Sequence, residues 1–342
     1  MAHFPIERAL AQGVLSVLPV LLFLLALDLI DTYRLLTLWR VVRIVLVGCA
    51  VAAVCWLLNT AVYASGAVSP HIWVRSGAPV LEELAKSLYA IWLIRTNRVA
   101  FMVDAAISGF ALGAGFSVVE NITYIPDLGA AALFTAAVRG LGTAMMHGGT
   151  TVVFAVLSNN RAEIRRDGWL RVFLPGLAIA IGIHAFYNQR LLPPLYQAAV
   201  ILVALPALLS FIFWRSEKVL EQWLGTRLDK DIDLLQMLAS NSFSATPAGH
   251  YLQSLKSTFG AEMVGDMLCH LQVSLELSAR AKGDLLRREM GFPVAADPGL
   301  PAQLRELSWL DARIGRAGRL ALAPLLGQSR RDIWEMRRLP AE

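Results

Sequence analysis

Seven apolar runs, each about long enough to cross the hydrocarbon core of a bilayer, constrain this chain more than any other feature of its sequence. They fall at roughly residues 10–30, 44–65, 78–94, 100–122, 133–157, 170–187 and 195–214. In lipid every backbone N–H and C=O must find its partner within the protein, so runs of this kind form helices. The expected fold class is therefore all-α, a polytopic transmembrane helical bundle of about seven spans. The first run has the position of a signal peptide, but it holds Asp28, continues into Asp31 and Arg34 and has no small-residue cleavage site. It is expected to stay as a span.

Composition supports this reading and separates a second region from it. Of 342 residues, 56% are hydrophobic and 17% charged, against about 25% charged in ordinary soluble domains. A disordered chain needs the opposite balance. Three cysteines, Cys49, Cys55 and Cys269, provide neither a disulfide framework nor a zinc-finger spacing. The net charge of +5 invites a nucleic-acid reading, but its distribution excludes one. Residues 1–215 carry 15 basic and 10 acidic side chains, whereas residues 216–342 carry 16 of each. The excess thus lies wholly in the apolar part, as basic membrane flanks do. Two domains are expected: a transmembrane domain over 1–215 and a cytosolic amphipathic helical domain over 216–342.

Arginine in the short loops sets the orientation. Arg34, Arg40 and Arg43 follow the first run, Arg75 stands alone in the next loop, and Arg95 and Arg98 follow the third run. The loop at 123–132 has none, Arg161, Arg165, Arg166 and Arg171 come next, and Arg190 is again alone. The alternation places the N-terminus outside and the tail in the cytoplasm, as in a multi-pass protein of a bacterial inner membrane. In the tail, apolar residues recur at helical spacing over 217–239 and 261–290 (Met263, Met267, Leu268, Leu271, Leu275), with breaks at 240–249 and 291–301. Arg305–Arg319 has a second reading, as a surface helix on anionic lipid.

Ionisable residues inside the spans carry the functional signal, because each costs about 2.5–3.5 kcal/mol at mid-bilayer. The third run contains Glu82, Glu83 and Lys86, the last being the only lysine before residue 216. On a helix the Lys86 ammonium reaches Glu83 at i,i+3 or Glu82 at i,i+4. The fourth run ends at Phe116, Glu120 and Asn121; the fifth has a polar stripe of Arg139, Thr143, His147 and Thr151; the sixth has His184 one turn before Asn188, whose amide can orient the ring. Helix direction puts Glu82, Glu83, Glu120 and His184 at one depth in the outer part of the bilayer. His147 falls nearer the middle, unless its span starts late, near Arg139. Small residues (Gly109, Gly113, Gly140, Gly148, Gly176, Ala180) allow the helices to approach closely.

The chain has no H-E-x-x-H zinc helix, no Gly-x-Gly-Asp, no P-loop and no dinucleotide fingerprint. Gly115-Phe116-Ser117-Val118 is a poor echo of a rhomboid serine motif, which leaves Ser117 a weak nucleophile. In Glu82-Glu83-x-x-Lys86, Phe116-x-x-x-Glu120-Asn121, the Arg139…His147 stretch and His184-x-x-x-Asn188 the sequence resembles the PrsW family of intramembrane proteases, relatives of CAAX-processing and bacteriocin-immunity membrane peptidases. The resemblance covers about residues 78–190 and leaves the tail unexplained. CAAX-type peptidases usually have arginine and histidine where Lys86 and Glu120 stand.

What the resemblance implies is an intramembrane endopeptidase acting on a membrane-protein substrate, an anti-sigma-factor-like regulator or a CAAX-like peptide. The residues suggest a mechanism: Glu82 or Glu83 takes a proton from water, Lys86 tunes the pair, and His147 and His184 stabilise the oxyanion. Glu120 protonates the leaving amine or forms a wall, with Asn121, Arg139 and Asn188 in support. The rival version uses zinc held by His147, His184 and Glu120, with another glutamate as base. No pair has a recognised zinc spacing, which favours the version without a cofactor. The expected partners are the substrate, the bilayer and a cytosolic protein for residues 216–342, with no nucleic acid. Two other classes stay open: a non-catalytic membrane scaffold, and a proton-coupled transporter whose path would continue through Asp104 and Ser108.

Overall fold

The computed structural model describes residues 37–123, 133–164, 168–240, 243–294, 297–326 and 330–336, with the helical positions Val14, Leu18, Leu22 and Leu25. Apart from those four positions, the expected first span lies outside the described residues. All secondary structure among the described residues is helical. The chain divides into two compact units, Met1–Ser216 and Glu217–Glu342.

The first unit holds α1 (Leu38–Ser65), α2 (Ala78–Arg95), α3 (Met102–Thr123), α4 (Leu133–Ile164), α5 (Trp169–Asn188) and the first part of α6 (Pro194–Ala239). One α-helical turn, Pro70–Ile72, and a π-helical turn, Trp73–Gly77, lead directly into α2. Among the described residues five helices are long and apolar enough to cross a membrane: Leu38–Ser65, Met102–Thr123, Gly140–Glu163, Trp169–Asn188 and Leu195–Ala239. The expected third span, α2, is an 18-residue helix, about 27 Å long. Its Glu82, Glu83, Lys86 and Arg95 make it too charged to qualify on composition.

The central helix is α3, flanked principally by α4 and α1. The apolar windows of α3 and α4 are 83% and 78% buried, against 28% for α1 and α5. The outer helices present side chains such as Leu46, Trp56, Leu57 and Ile179 outward. An apolar exterior of this extent suits hydrocarbon rather than water. The start of α3 is fastened by Asp104, whose carboxylate accepts from the backbone N–H of Ala100 at 3.2 Å. Asn159 of α4 donates to the carbonyl of Ala100 at 3.2 Å.

Close approach in the core rests on glycines. A Cβ on Gly113 would overlap the carbonyl oxygen of His147, and one on Gly115 the carbonyl oxygen of Val45. Gly113→Ala is therefore expected to cost about 1–3 kcal/mol, as overpacking does. Gly182→Ala, which meets nothing within 4 Å, is expected to cost nothing. Thermal unfolding of both variants in detergent checks this, and equal midpoints would deny that α3 and α4 touch through backbone.

In the second unit α7 (Pro247–Ser254), α8 (Lys256–Phe259), α9 (Ala261–Glu289), α10 (Leu300–Leu326) and α11 (Arg330–Met336) follow the remainder of α6. Val264, Met267, Leu271 and Leu275 of α9 form a buried stripe against Ile314 and Leu322 of α10. Of the apolar positions expected on α9, Leu268 instead points outward, at 37% exposure. The Arg305–Arg319 segment lies within α10, which kinks at Gly315 and buries Leu310, Ile314, Gly318 and Leu322. Its Arg313 donates to Asp266 at 2.7 Å and to Glu262 at 2.8 Å on α9.

Candidate active site

Four helices of the first unit bring their ionisable residues to one place. From α2, Glu83 and Lys86 point into the bundle, 2% and 0% exposed, and pair at 2.7 Å. The i,i+3 option is the one realised. Oε1 of Glu83 accepts from three donors: Lys86 Nζ, Thr150 Oγ1 of α4 at 3.0 Å and His184 Nδ1 of α5 at 2.8 Å. Burying a charge is tolerable only with such saturation.

The bond to Glu83 fixes the tautomer of His184. A carboxylate offers no hydrogen, so Nδ1 carries one, and in the neutral ring it is Nε2 that holds the lone pair. That nitrogen faces Glu82 Oε2 at 3.8 Å. His147, fully buried on α4, has Nδ1 at 3.2 Å from Lys86 Nζ and Nε2 in close contact with Oε2 of Glu120 on α3. An ammonium only donates, so here Nδ1 accepts and Nε2 gives its hydrogen to Glu120. The two imidazole centroids are 4.8 Å apart, edge to face. Phe116 stacks against His147 at 4.8 Å and lies under Lys86 at 5.2 Å.

Glu82, Glu120 and His184 line a cavity of about 290 Å³ together with Phe116, Asn188 and, from α1, Cys55, Asn59 and Tyr63. Glu83 and His147 are not part of its lining. Thus the glutamate pair divides by position: Glu82 faces the cavity and Glu83 lies behind it. His147 joins the cluster despite its expected depth, and the apolar span of α4 among the described residues begins at Gly140, a late start.

The remaining sequence candidates are placed as follows. Asn121 donates to the carbonyl of Gly140 at 3.1 Å, tying α3 to α4. The amide of Asn188 donates to the carbonyl of Val74 at 3.0 Å, while the ring of His184 is held by Glu83. Arg139 lies on α4, and its side chain is outside the described residues. Thr151 of the expected stripe donates to the His147 carbonyl at 2.7 Å; its neighbour Thr150 is the one that reaches Glu83. Ser117 donates to the carbonyl of Ala114 at 2.7 Å and is buried.

Glu82, His147 and His184 offer donor atoms that all lie within 4.8 Å of one another. Relative to the ligand set read from the sequence, Glu82 stands where Glu120 was expected. Two imidazoles and a carboxylate form a sufficient catalytic shell for zinc. The Nδ1 bond of His184 to a carboxylate is the usual support of a metal-bound imidazole, so these residues fit a divalent cation. His147 departs from that pattern at both nitrogens, Nδ1 accepting from Lys86 and Nε2 donating to Glu120, so a metal bound at Nε2 would replace the bond to Glu120.

The family model of PrsW intramembrane metalloproteases matches residues 37–214. The chain belongs to the PrsW family. No curated protein and no solved structure matches it. The PrsW match covers α1 to α5 and the first part of α6, and ends at the last residues of the first unit. Membership makes the chain a membrane protease of the hydrolase class. Three residues in its cluster were missed by sequence reasoning: Thr150, Asn59 and Trp73. For Asn59 the available signal was a lone amide in the apolar run 44–65; Thr150 stands at i+3 from His147.

Proposed function

We propose that this PrsW protein is an intramembrane endopeptidase that cuts a peptide bond in or beside the membrane segment of another protein. The class of substrate would be an anti-sigma-factor-like regulator or a CAAX-like peptide. One observation carries the reading: Glu82, Glu120 and His184 meet on one cavity inside an apolar bundle, with Glu83, Lys86 and His147 locked behind them. A scaffold needs no such cavity. A proton path would use Asp104, whose carboxylate instead fastens the start of α3.

Each group then has a role. Glu83 orients His184 so that its free Nε2 faces the cavity, and Lys86 holds Glu83 and His147 in register. Glu82, His147 and His184 would hold a zinc ion, which when bound would polarise the scissile carbonyl and acidify a water. Glu120, with a side chain 28% exposed, is the carboxylate left to move protons. It takes one from the attacking water and returns it to the leaving amine nitrogen as the C–N bond breaks. The buried surroundings exclude competing water.

The lysine at His147 favours a second reading without metal. There Glu82 takes the proton of water and returns it to the leaving amine nitrogen as the C–N bond breaks, while Nε2–H of His147, turned from Glu120 toward the cavity, donates to the oxyanion. Zinc content of the purified protein separates the two. The metal reading expects about one zinc per chain, lost in His184→Ala together with cleavage of a co-expressed single-span membrane protein. Cleavage by a metal-free preparation that survives strong chelators would establish the second reading. Cleavage by His184→Ala at the unmodified rate would remove both.

The termini are assigned on the arginine bias, with the N-terminus outside and residues 216–342 in a bacterial cytoplasm. The second unit is proposed as a cytosolic helical domain that binds a protein partner. Proteolysis of that unit in spheroplasts only after permeabilisation, and in inverted membrane vesicles without it, is the expected pattern.

A further inference from the structure

Resting on the reading of Glu82 as part of the hydrolytic centre, we infer that Asn59 and Trp73 form a relay that positions its carboxylate. Asn59 lies on α1, outside the four helices that supply the acid and imidazole cluster. Its amide nitrogen donates to Oε1 of Glu82 at 3.1 Å. Its amide oxygen accepts from the indole N–H of Trp73 at 2.9 Å. An indole nitrogen only donates, so Trp73 decides which end of the amide faces the glutamate. With the oxygen committed to Trp73, the NH₂ group is turned to Oε1, and Oε2 is left toward His184.

Local structure makes the relay rigid. Trp73 opens the π-helical turn Trp73–Gly77, and its ring occupies the space where a Cβ on Gly77 would lie. Gly77 immediately precedes α2, the helix that carries Glu82. One turn therefore sets both the indole and the first residues of the helix it addresses. π-Helical turns of this kind recur at functional sites. Asn59 and Glu82 both line the cavity, so the amide is a side wall of the site as well as its brace. Asn59 is a positioning residue, and Trp73 acts through it.

The test uses the full chain in detergent, with the variants Asn59→Ala, Trp73→Phe, their double mutant and Glu82→Gln. Two quantities are read: affinity for zinc by competition with a chromophoric chelator, and kcat and KM for a membrane substrate that the unmodified chain cuts. Loss of an outer-shell partner costs about 10–100-fold in metal affinity or activity. Asn59→Ala is expected to lose that much in zinc affinity and in kcat, with KM within about twofold. Trp73→Phe, which removes one N–H and keeps the ring, is expected to lose less in the same direction. The double mutant is expected to be no worse than Asn59→Ala alone, because groups acting in series are not additive.

Unchanged zinc affinity and kcat in both single variants would overturn the relay, as would full additivity in the double mutant. Trp73→Phe keeps the question decidable if Asn59→Ala fails to fold. Glu82→Gln separates the two levels. If it behaves as the unmodified chain, the reading of the centre has failed. If it is inactive while Asn59→Ala and Trp73→Phe are normal, the relay alone has failed.

Discussion

Glu82→Gln is expected to lower cleavage of a membrane substrate by about 10³-fold, within the range that proton-transfer groups supply. The substitution keeps size and shape. It retains an oxygen for the Asn59 amide and removes only the charge and the proton-accepting capacity. Whether Glu82 holds a cation or takes the proton itself, the loss is expected. Folding should hardly change, because Glu82 faces the cavity and its neighbour Glu83 makes the buried contacts. Initial rates of cleavage measured beside thermal unfolding in detergent test both halves. A rate within tenfold of the unmodified chain would take Glu82 out of the chemistry.

Lys86→Met is expected to act on stability first. The ammonium is fully buried and sits between Glu83 at 2.7 Å, His147 at 3.2 Å and Thr150 at 3.4 Å. Removing it leaves a buried carboxylate without its counter-charge, a loss of about 3–5 kcal/mol. The double change Lys86→Met with Glu83→Gln removes both charges and is expected to recover much of that stability. It should not recover cleavage, because the neutral amide no longer holds His184 as a carboxylate does. Unfolding midpoints of the single and double variants give the answer. A Lys86→Met chain as stable as the original would show that the pair contributes nothing to the fold.

The contrast between these two glutamates explains how far the sequence could be read. Adjacent positions on a helix point about 100° apart, so one of Glu82 and Glu83 had to face away from the other. Which of them meets the cavity depends on how α2 is rotated against α4 and α5, and periodicity within one helix does not contain that angle. The helical class of the first unit followed from apolar runs alone, because lipid admits few alternatives. The expected count was less secure, since α2 carries charge at span length and residues 10–30 lie largely outside the described part.

The stripe on α4 shows the same limit on a smaller scale. Spacing by four singled out Thr151 with His147, yet Thr151 bonds to its own helix and Thr150 crosses to Glu83. A hydroxyl near a carbonyl one turn back has a local partner always within reach. Only the neighbour's rotation toward α2 decides which threonine is free to cross. The imidazole of His184 was similarly given to Asn188 by proximity in sequence, but the carboxylate of Glu83 holds it across 101 positions of chain.

One oxygen, Oε1 of Glu83, receives hydrogen bonds from α2, α4 and α5 together. Helices inserted singly into a bilayer associate in a later step, and before that step this oxygen lacks two of its three donors. His184 is then unoriented, and no cavity wall exists. On the proposed reading of the site, hydrolytic competence arrives with helix association and not with insertion, and a partly assembled chain would not cut its neighbours in the membrane.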